Sequence, residues 1–281
     1  WGYKMSAEFK KLSEISLSKT IDLVNEVFSD YTIPIKWDVF SFKLDMKENS
    51  ISLDDSFVMF VDDQIVGFSI NALRPPRGRI DAFGVKKYFR EKGIGGSLLL
   101  YSLDQLKWKG IKEVFLEVAY GDRAVKFYQK YGFVMRRNLK SFYTDQIMSA
   151  PIYKFVSATI DEIYDEALQN EKKWRHPNWQ REALTLKLSD DRYNHDFVIK
   201  DGERIGYVVW GVNENGAYII DASPKDRENF NDFFKDLLSS IQEVTKVSNI
   251  ILMNVPEDDP LYEAACEFEM RPFITQWEMS K

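Results

Sequence analysis

The chain is short of the residues that build metal and redox sites. It has one cysteine, Cys266, in 281 residues, so it can form no internal disulfide and no cysteine-based metal cluster. Histidine occurs only as His176 and His195, which leaves little for a zinc site or a Ser-His-Asp triad, and no metal site is expected. No apolar run approaches the roughly 20 residues a membrane helix requires. The first residues, Trp1-Gly2-Tyr3-Lys4-Met5, lack the apolar core of a signal peptide. Together these absences set the expectation of a cytoplasmic protein without membrane contact. Nucleotide signatures are missing too: there is no G-x-x-x-x-G-K-[ST], and Gly93-Ile94-Gly95-Gly96 lacks the G-x-G-x-x-G spacing. The net charge of −6 disfavours general nucleic-acid binding.

Apolar material is abundant, at 44% hydrophobic and 15% aromatic residues. This length and composition suit two packed domains. Against the acidic background stands one basic stretch: Arg74, Arg77, Arg79, Lys86, Lys87, Arg90 and Lys92, opposed by Asp81 and Glu91. It points to a small polyanion as ligand. Within it, residues 83–97 read as a strand end (Phe83, Gly84, Val85), a basic loop, and a glycine-rich entry into a helix (Arg90, Glu91, Lys92, Gly93, Ile94, Gly95, Gly96, Ser97). Leu98, Leu99, Leu100, Tyr101, Leu103 and Leu106 follow with the spacing of a buried helix, and Lys109-Gly110 stops it. The first turn of such a helix presents N–H groups without intrahelical partners at the positive end of the dipole. Glycines leave that backbone open to approach, so a diphosphate is a natural occupant.

The segment Arg90-x-x-Gly93-x-Gly95 resembles the acetyl-CoA pyrophosphate motif of the GNAT N-acetyltransferase superfamily. The resemblance continues through Val114-Phe115-Leu116-Glu117-Val118, similar to the family's next strand. It extends to Ala124-Val125-Lys126-Phe127-Tyr128-Gln129-Lys130-Tyr131-Gly132-Phe133, similar to its A-x-x-x-Y-x-x-x-G-F helix-turn-strand. Three pieces in order and at normal spacing make the likeness specific. It implies two GNAT-like domains, each an α/β mixed, mostly antiparallel sheet flanked by helices. Residues 1–150 would be the catalytic acetyltransferase domain and residues 151–281 a degenerate GNAT-like copy.

The pattern along the chain supports this division. Residues 15–28 read as an amphipathic helix, with Ile21, Val24, Val27 and Phe28 on one face. Residues 56–61 and 65–70 read as a hairpin around Asp62-Asp63-Gln64. Residues 79–85 and 114–119 read as strands, and residues 122–130 as a helix with Asp122 as N-cap. Gly132 suits a left-handed position, and residues 133–138 and 141–148 suit a closing pair of strands. Around Met148-Ser149-Ala150-Pro151 the order begins again. It runs through a helix at 160–168, a hairpin around Asp201-Gly202, a strand at 217–221, a helix at 230–244, a strand at 250–255, a helix at 262–267 and a final strand at 271–279. The copy reads Arg227-x-x-Phe230-x-Asp232 at the cradle, and Ala265 before Glu269 where the first half has Tyr128 before Gly132. A phenylalanine there blocks the backbone and an aspartate repels phosphate, so the second half is not expected to bind acetyl-CoA.

The resemblance also implies the chemistry. Acetyl-CoA is the co-substrate, and a small-molecule or peptide amine is the acceptor. A backbone N–H near Val85 polarises the thioester carbonyl, and Tyr128 protonates the departing thiolate. The family's usual strand glutamate aligns with Arg79, leaving Asp81 and Glu117 as candidate bases. The family's asparagine before the closing helix is replaced by Gly121-Asp122. Tyr31 and Trp37 are candidate pocket residues, and Asp30 and Asp38 candidate attractants for a cationic amine. A non-catalytic acyl-CoA-binding regulator on the same scaffold is the alternative; the sequence names neither the acceptor nor the oligomeric state.

Overall fold

A computed structural model describes residues 7–31, 35–146, 150–189 and 192–281. The chain divides into two compact units. The first runs to Arg136 and takes in Glu278–Lys281; the second is Arg137–Trp277. The sequence reading put the change at 150/151.

In unit 1 the order is β1 (Ala7–Lys11), α1 (Leu17–Phe28), α2 (Val39–Asn49), β2 (Phe57–Val61), β3 (Gln64–Arg74), β4 (Arg77–Val85), α3 (Ile94–Trp108), β5 (Glu113–Ala119) and α4 (Ala124–Lys130). The strands lie in the order β1-β2-β3-β4-β5. All neighbours are antiparallel except β4 and β5, which are parallel. Asp62 and Asp63 both take left-handed φ, 47° and 62°, as a two-residue hairpin turn with matching twist requires. Ser16 caps α1, whose apolar face of Ile21, Val24, Val27 and Phe28 is buried as its spacing predicts. A methyl group on Gly84 would collide with Val27, so this glycine lets α1 lie close against β4. Phe57, Met59, Val66, Val85, Ile94 and Leu98 form a core that joins β2, β3 and β4 to α3.

The chain's last residues belong to this unit. Val114 and Lys281 exchange both backbone hydrogen bonds, at 2.8 and 3.0 Å. Ser280 Oγ donates to Glu113 at 2.9 Å, and Lys281 Nζ donates to the Tyr131 carbonyl at 2.7 Å.

Two expectations change. Helix α2 was not foreseen, because only Phe42 and Glu48 of its residues are buried and it has no apolar stripe. A capping box between Asp38 and Ser41 marks it instead. Residues 133–138 and 141–148, read as two strands, are largely one, β6 (Val134–Thr144). Leu139-Lys140 offers no turn residue, and Leu139 is fully buried; residues 147 and 148 lie outside the described residues.

Unit 2 continues from β6 with β7 (Lys154–Ser157), α5 (Ile160–Lys173), α6 (Ala183–Leu188), β8 (Asn194–Lys200), β9 (Glu203–Asn213), β10 (Gly216–Pro224), α7 (Phe230–Thr245), β11 (Ile250–Pro256), α8 (Pro260–Glu267) and β12 (Arg271–Ser280). Its strands run β6-β11-β10-β9-β8-β7. Only β10 and β11 are parallel among the described pairs. Asp201 and Gly202 form the expected left-handed turn. Phe230, Phe233, Phe234, Leu237, Leu238 and Ile241 repeat at helical spacing, and all are buried. Each unit is thus a mixed, mostly antiparallel sheet with helices, the class the sequence implies.

Candidate acyl-donor site

Unit 1 supplies a cleft and a cradle. Strands β4 and β5 pair at only three positions, Arg77–Glu113, Gly78–Val114 and Arg79–Phe115, and then diverge. The Lys86 N–H donates to Val66 O on β3 at 2.8 Å. Because successive strand residues face opposite edges, the N–H groups of Val85 and Phe83 face the gap towards β5. The Val85 carbonyl, on that same edge, accepts Arg90 Nε at 2.9 Å.

At the end of β4 the chain turns through Glu91 (φ 64°) and Gly93 (φ 82°) into α3. Gly93 is the N-cap, and no side chain caps the helix. The first intrahelical donor is Ser97 N–H, bonded to Gly93 O at 3.1 Å. The N–H groups of Ile94, Gly95 and Gly96 find no acceptor among the described residues. A bare helix N-terminus is a strong anion site. The Ser97 N–H serves the helix, and its exposed hydroxyl contacts Gly93 O at 3.4 Å.

The glycines have separate reasons. A side chain on Gly93 would meet only open space, so its left-handed backbone is what requires glycine. A methyl group on Gly95 would only touch the Phe127 ring, at 3.5 Å, whereas one on Gly96 would collide with the Tyr131 hydroxyl. Helix α4 therefore lies across the cradle, and its Tyr131 demands glycine at position 96.

Arg90, expected to add its charge to the phosphate site, also has partners within the protein. Its guanidinium forms a two-pronged ion pair with Asp30, both distances 2.9 Å, and reaches the Val27 carbonyl at 3.3 Å. Arg90 therefore fastens the loop to the end of α1. Its hydrogen bonds lower the Asp30 pKa. Lys92 remains exposed, with Nζ 4.2 Å from the Tyr88 ring centre, and can still meet an anion.

Tyr128 projects from α4 into a nest of rings, 5.1 Å from Phe127, 5.6 Å from Phe133 and 6.2 Å from Phe83. Its hydroxyl bonds to no described residue. Burial raises its pKa well above the ordinary value, and the nearby Tyr31 and Asp122 raise it further. The phenol therefore keeps its proton. Asp122 receives the Ala124 N–H at 2.8 Å, so it caps α4 from one residue further out than expected.

The two candidate bases meet at Arg79. Its guanidinium lies 3.0 Å from Asp81 and 3.5 Å from Glu117, all three side chains being nearly sealed from solvent. Asp81 would share a face with Arg79, two residues away, only in a regular strand, and β4 is not regular there. Ile70 pairs with Ala82 and Asn71 with Ile80, so Asp81 is the extra residue of a bulge in β4. Burial raises the Asp81 pKa, Arg79 opposes the rise, and Asp45 and Glu117 add to it. Of the pocket candidates, Trp37 donates its indole N–H to Asp45 at 2.7 Å, and its main-chain N–H and carbonyl pair with the Asn25 side-chain amide, both at 2.8 Å. Trp37 therefore ties α1 to α2. Asp30 and Asp38 serve Arg90 and the α2 cap respectively.

Unit 2 repeats the strand divergence and fills it. Strands β10 and β11 also pair at three positions, ending at Ile219–Leu252. At the next residues Arg181 bridges the strands, donating to Met253 O at 2.6 and 3.0 Å and to Ile220 O. Beside it, buried Arg175 binds Asp221 at 2.7 Å and Asp259 at 2.9 Å, and Tyr207 donates to Asp221 at 2.6 Å. Burial pulls Arg181 down to about 10, still charged at neutral pH. Phe230 opens α7 and is buried against Trp174 and Phe233. No local pattern marks Arg175 and Arg181, which sit in an irregular loop.

Glu171 adjoins this network and accepts the Ala183 N–H. Burial pushes it up to about 7 from 4.5, with Glu182 and Asp221 adding to the rise and Arg175 opposing it. Between those values the folded protein holds a proton that the unfolded chain releases, so stability falls as pH rises through the window, by up to about 3 kcal/mol. Glu171→Gln is expected to flatten that fall in denaturant unfolding followed from pH 4.5 to 7.5. An identical pH slope in both proteins contradicts the assignment.

Comparison with known proteins agrees with the fold. The sequence model of the Acetyltransferase (GNAT) family matches residues 21–133, which lie in unit 1. No curated protein sequence matches significantly. A GCN5-related N-acetyltransferase from Sphaerobacter thermophilus is 11% identical, with 99% of this chain and 95% of that one covered, at a TM-score of 0.67. A putative acetyltransferase from Pyrococcus horikoshii is 14% identical over 100% and 90%, at 0.63. A tandem GNAT protein from the clavulanic acid biosynthesis pathway is 16% identical over 98% of each chain, at 0.65. At such identities the likeness is one of fold, and it extends over both halves of the chain.

Proposed function

We propose that unit 1 transfers the acetyl group of acetyl-CoA directly to a primary amine. The observation that carries this is the uncapped α3 N-terminus at the end of the gap between β4 and β5. The N–H groups of Ile94, Gly95 and Gly96, with Lys92, hold the diphosphate of coenzyme A. Its pantetheine arm lies in the gap, and the thioester reaches the Val85 N–H, which polarises the carbonyl. The amine nitrogen attacks the carbonyl carbon and the C–S bond breaks. Tyr128, held protonated by burial, gives its proton to the departing sulfur. The amine's proton passes to Asp81 or Glu117, directly or through water; the raised pKa of Asp81 makes it the stronger base of its type. Holding donor and acceptor together can itself contribute several kcal/mol.

Unit 2 is proposed not to bind acetyl-CoA. Arg181 occupies the place between its diverging strands that a ligand's amides would need. Calorimetry on the full chain is expected to give one coenzyme A bound per chain, and a thiol-release assay with acetyl-CoA over an amine panel to give turnover. No heat with coenzyme A overturns the reading. Binding with no thiol release from any amine favours a non-catalytic acyl-CoA-binding regulator.

A further inference from the structure

Helix α4 brings a second tyrosine to the cradle. Phe127 and Tyr131, one helical turn apart, lie over Gly95 and Gly96, with their ring centres 5.1 Å apart. The Tyr131 hydroxyl occupies the space a side chain on Gly96 would need. It bonds to no described residue. Its main chain is fixed on both sides: Tyr131 N–H donates to Tyr128 O at 2.9 Å, and Lys281 Nζ donates to Tyr131 O at 2.7 Å. A phenolic O–H thus stands beside the N–H groups of Gly95 and Gly96, which also find no acceptor among the described residues. The group is rich in donors and lacks an acceptor. What completes it is an oxygen that accepts from the phenol and the backbone together.

We propose that Tyr131 donates its hydroxyl hydrogen to an oxygen of the diphosphate held at α3, as a side-chain binding residue distinct in role from Tyr128. The assignment rests on the acetyl-CoA reading above and deepens it. It also accounts for Gly96, whose lack of a side chain leaves room for the phenol to reach the helix end. Tyr131 touches no reacting atom, so it governs donor affinity and leaves the chemical step alone.

The test compares the full chain with Tyr131→Phe, which keeps the ring and loses only the hydroxyl. Calorimetry with coenzyme A is expected to weaken by roughly tenfold, the size of one hydrogen bond to a charged group. Turnover at saturating acetyl-CoA is expected to stay within about twofold, since the interaction is equal in ground and transition states. S-acetylpantetheine, which has no phosphate, is expected to be used equally well by both proteins. Unchanged coenzyme A affinity overturns the assignment, and so does an equal loss with both donors, which marks a structural role. A parent protein that binds no coenzyme A at all overturns the underlying reading and this proposal with it; parent binding with an unaltered variant overturns this proposal only.

Discussion

Tyr128→Phe is expected to lower turnover on the order of 10²- to 10⁴-fold, the usual loss on removing a positioned acid. The affinity for coenzyme A should change little. The substitution removes a hydroxyl that makes no bond to a described residue and leaves the ring among Phe83, Phe127 and Phe133. Packing is therefore preserved, and a fall in activity reports on proton transfer. Burial opposes the phenolate, so the proton is still on the oxygen when sulfur departs. Steady-state kinetics and calorimetry on the same preparation separate the two effects. Unaltered turnover removes Tyr128 from the mechanism.

Asp221→Ala is expected to cost about 3–5 kcal/mol of stability, the typical penalty for leaving a buried charge without its partner. Asp221 is almost completely buried, binds Arg175, receives the Tyr207 hydroxyl and lies 3.9 Å from Arg181. Without it, two buried guanidinium groups lose shared negative charge. For a unit of this size each kcal/mol moves the midpoint by roughly 2–4 °C, so thermal unfolding should begin on the order of 10 °C lower. A shift under about 2 °C means that water or a rearranged side chain compensates, and that Arg175 and Arg181 do not depend on Asp221. The cradle proposed to hold the diphosphate uses only unit 1 residues and is no part of this network.

The cradle was legible because its signals are local. Gly93 and Gly95 sit at fixed offsets from the apolar run that makes α3, and a glycine-rich turn before such a run has few alternative readings. The two hairpins were legible for the same reason, their turns being two residues long with left-handed backbone at Asp62, Asp63, Asp201 and Gly202. Helix α2 was hidden because its stability rests on a capping box and on Trp37, Phe42 and Asn25 contacts, with no repeating apolar face. β6 was read as two strands because strand ends have no sequence signal where no turn residue stands.

Assigning the charged residues was harder. Arg90 matches a phosphate motif by type and spacing, yet Asp30, 60 positions earlier, takes its side chain. Arg181 was invisible as a plug because Ile220 and Met253, whose carbonyls it binds, lie 39 and 72 positions away. Tyr131 falls at an unspecified position of the A-x-x-x-Y-x-x-x-G-F pattern, and only folding lays it on Gly96.

Local order alone set the succession of strands and helices, the open helix end and the loss of that feature in the second half, because periodicity and turn chemistry act between near neighbours. Chain folding alone chose the partners: Asp30 for Arg90, Gly96 for Tyr131, the strand gap of unit 2 for Arg181, and β5 for Lys281. Those choices depend on which distant surfaces are brought together and which charges must be matched once water is excluded. No spacing along the chain encodes them.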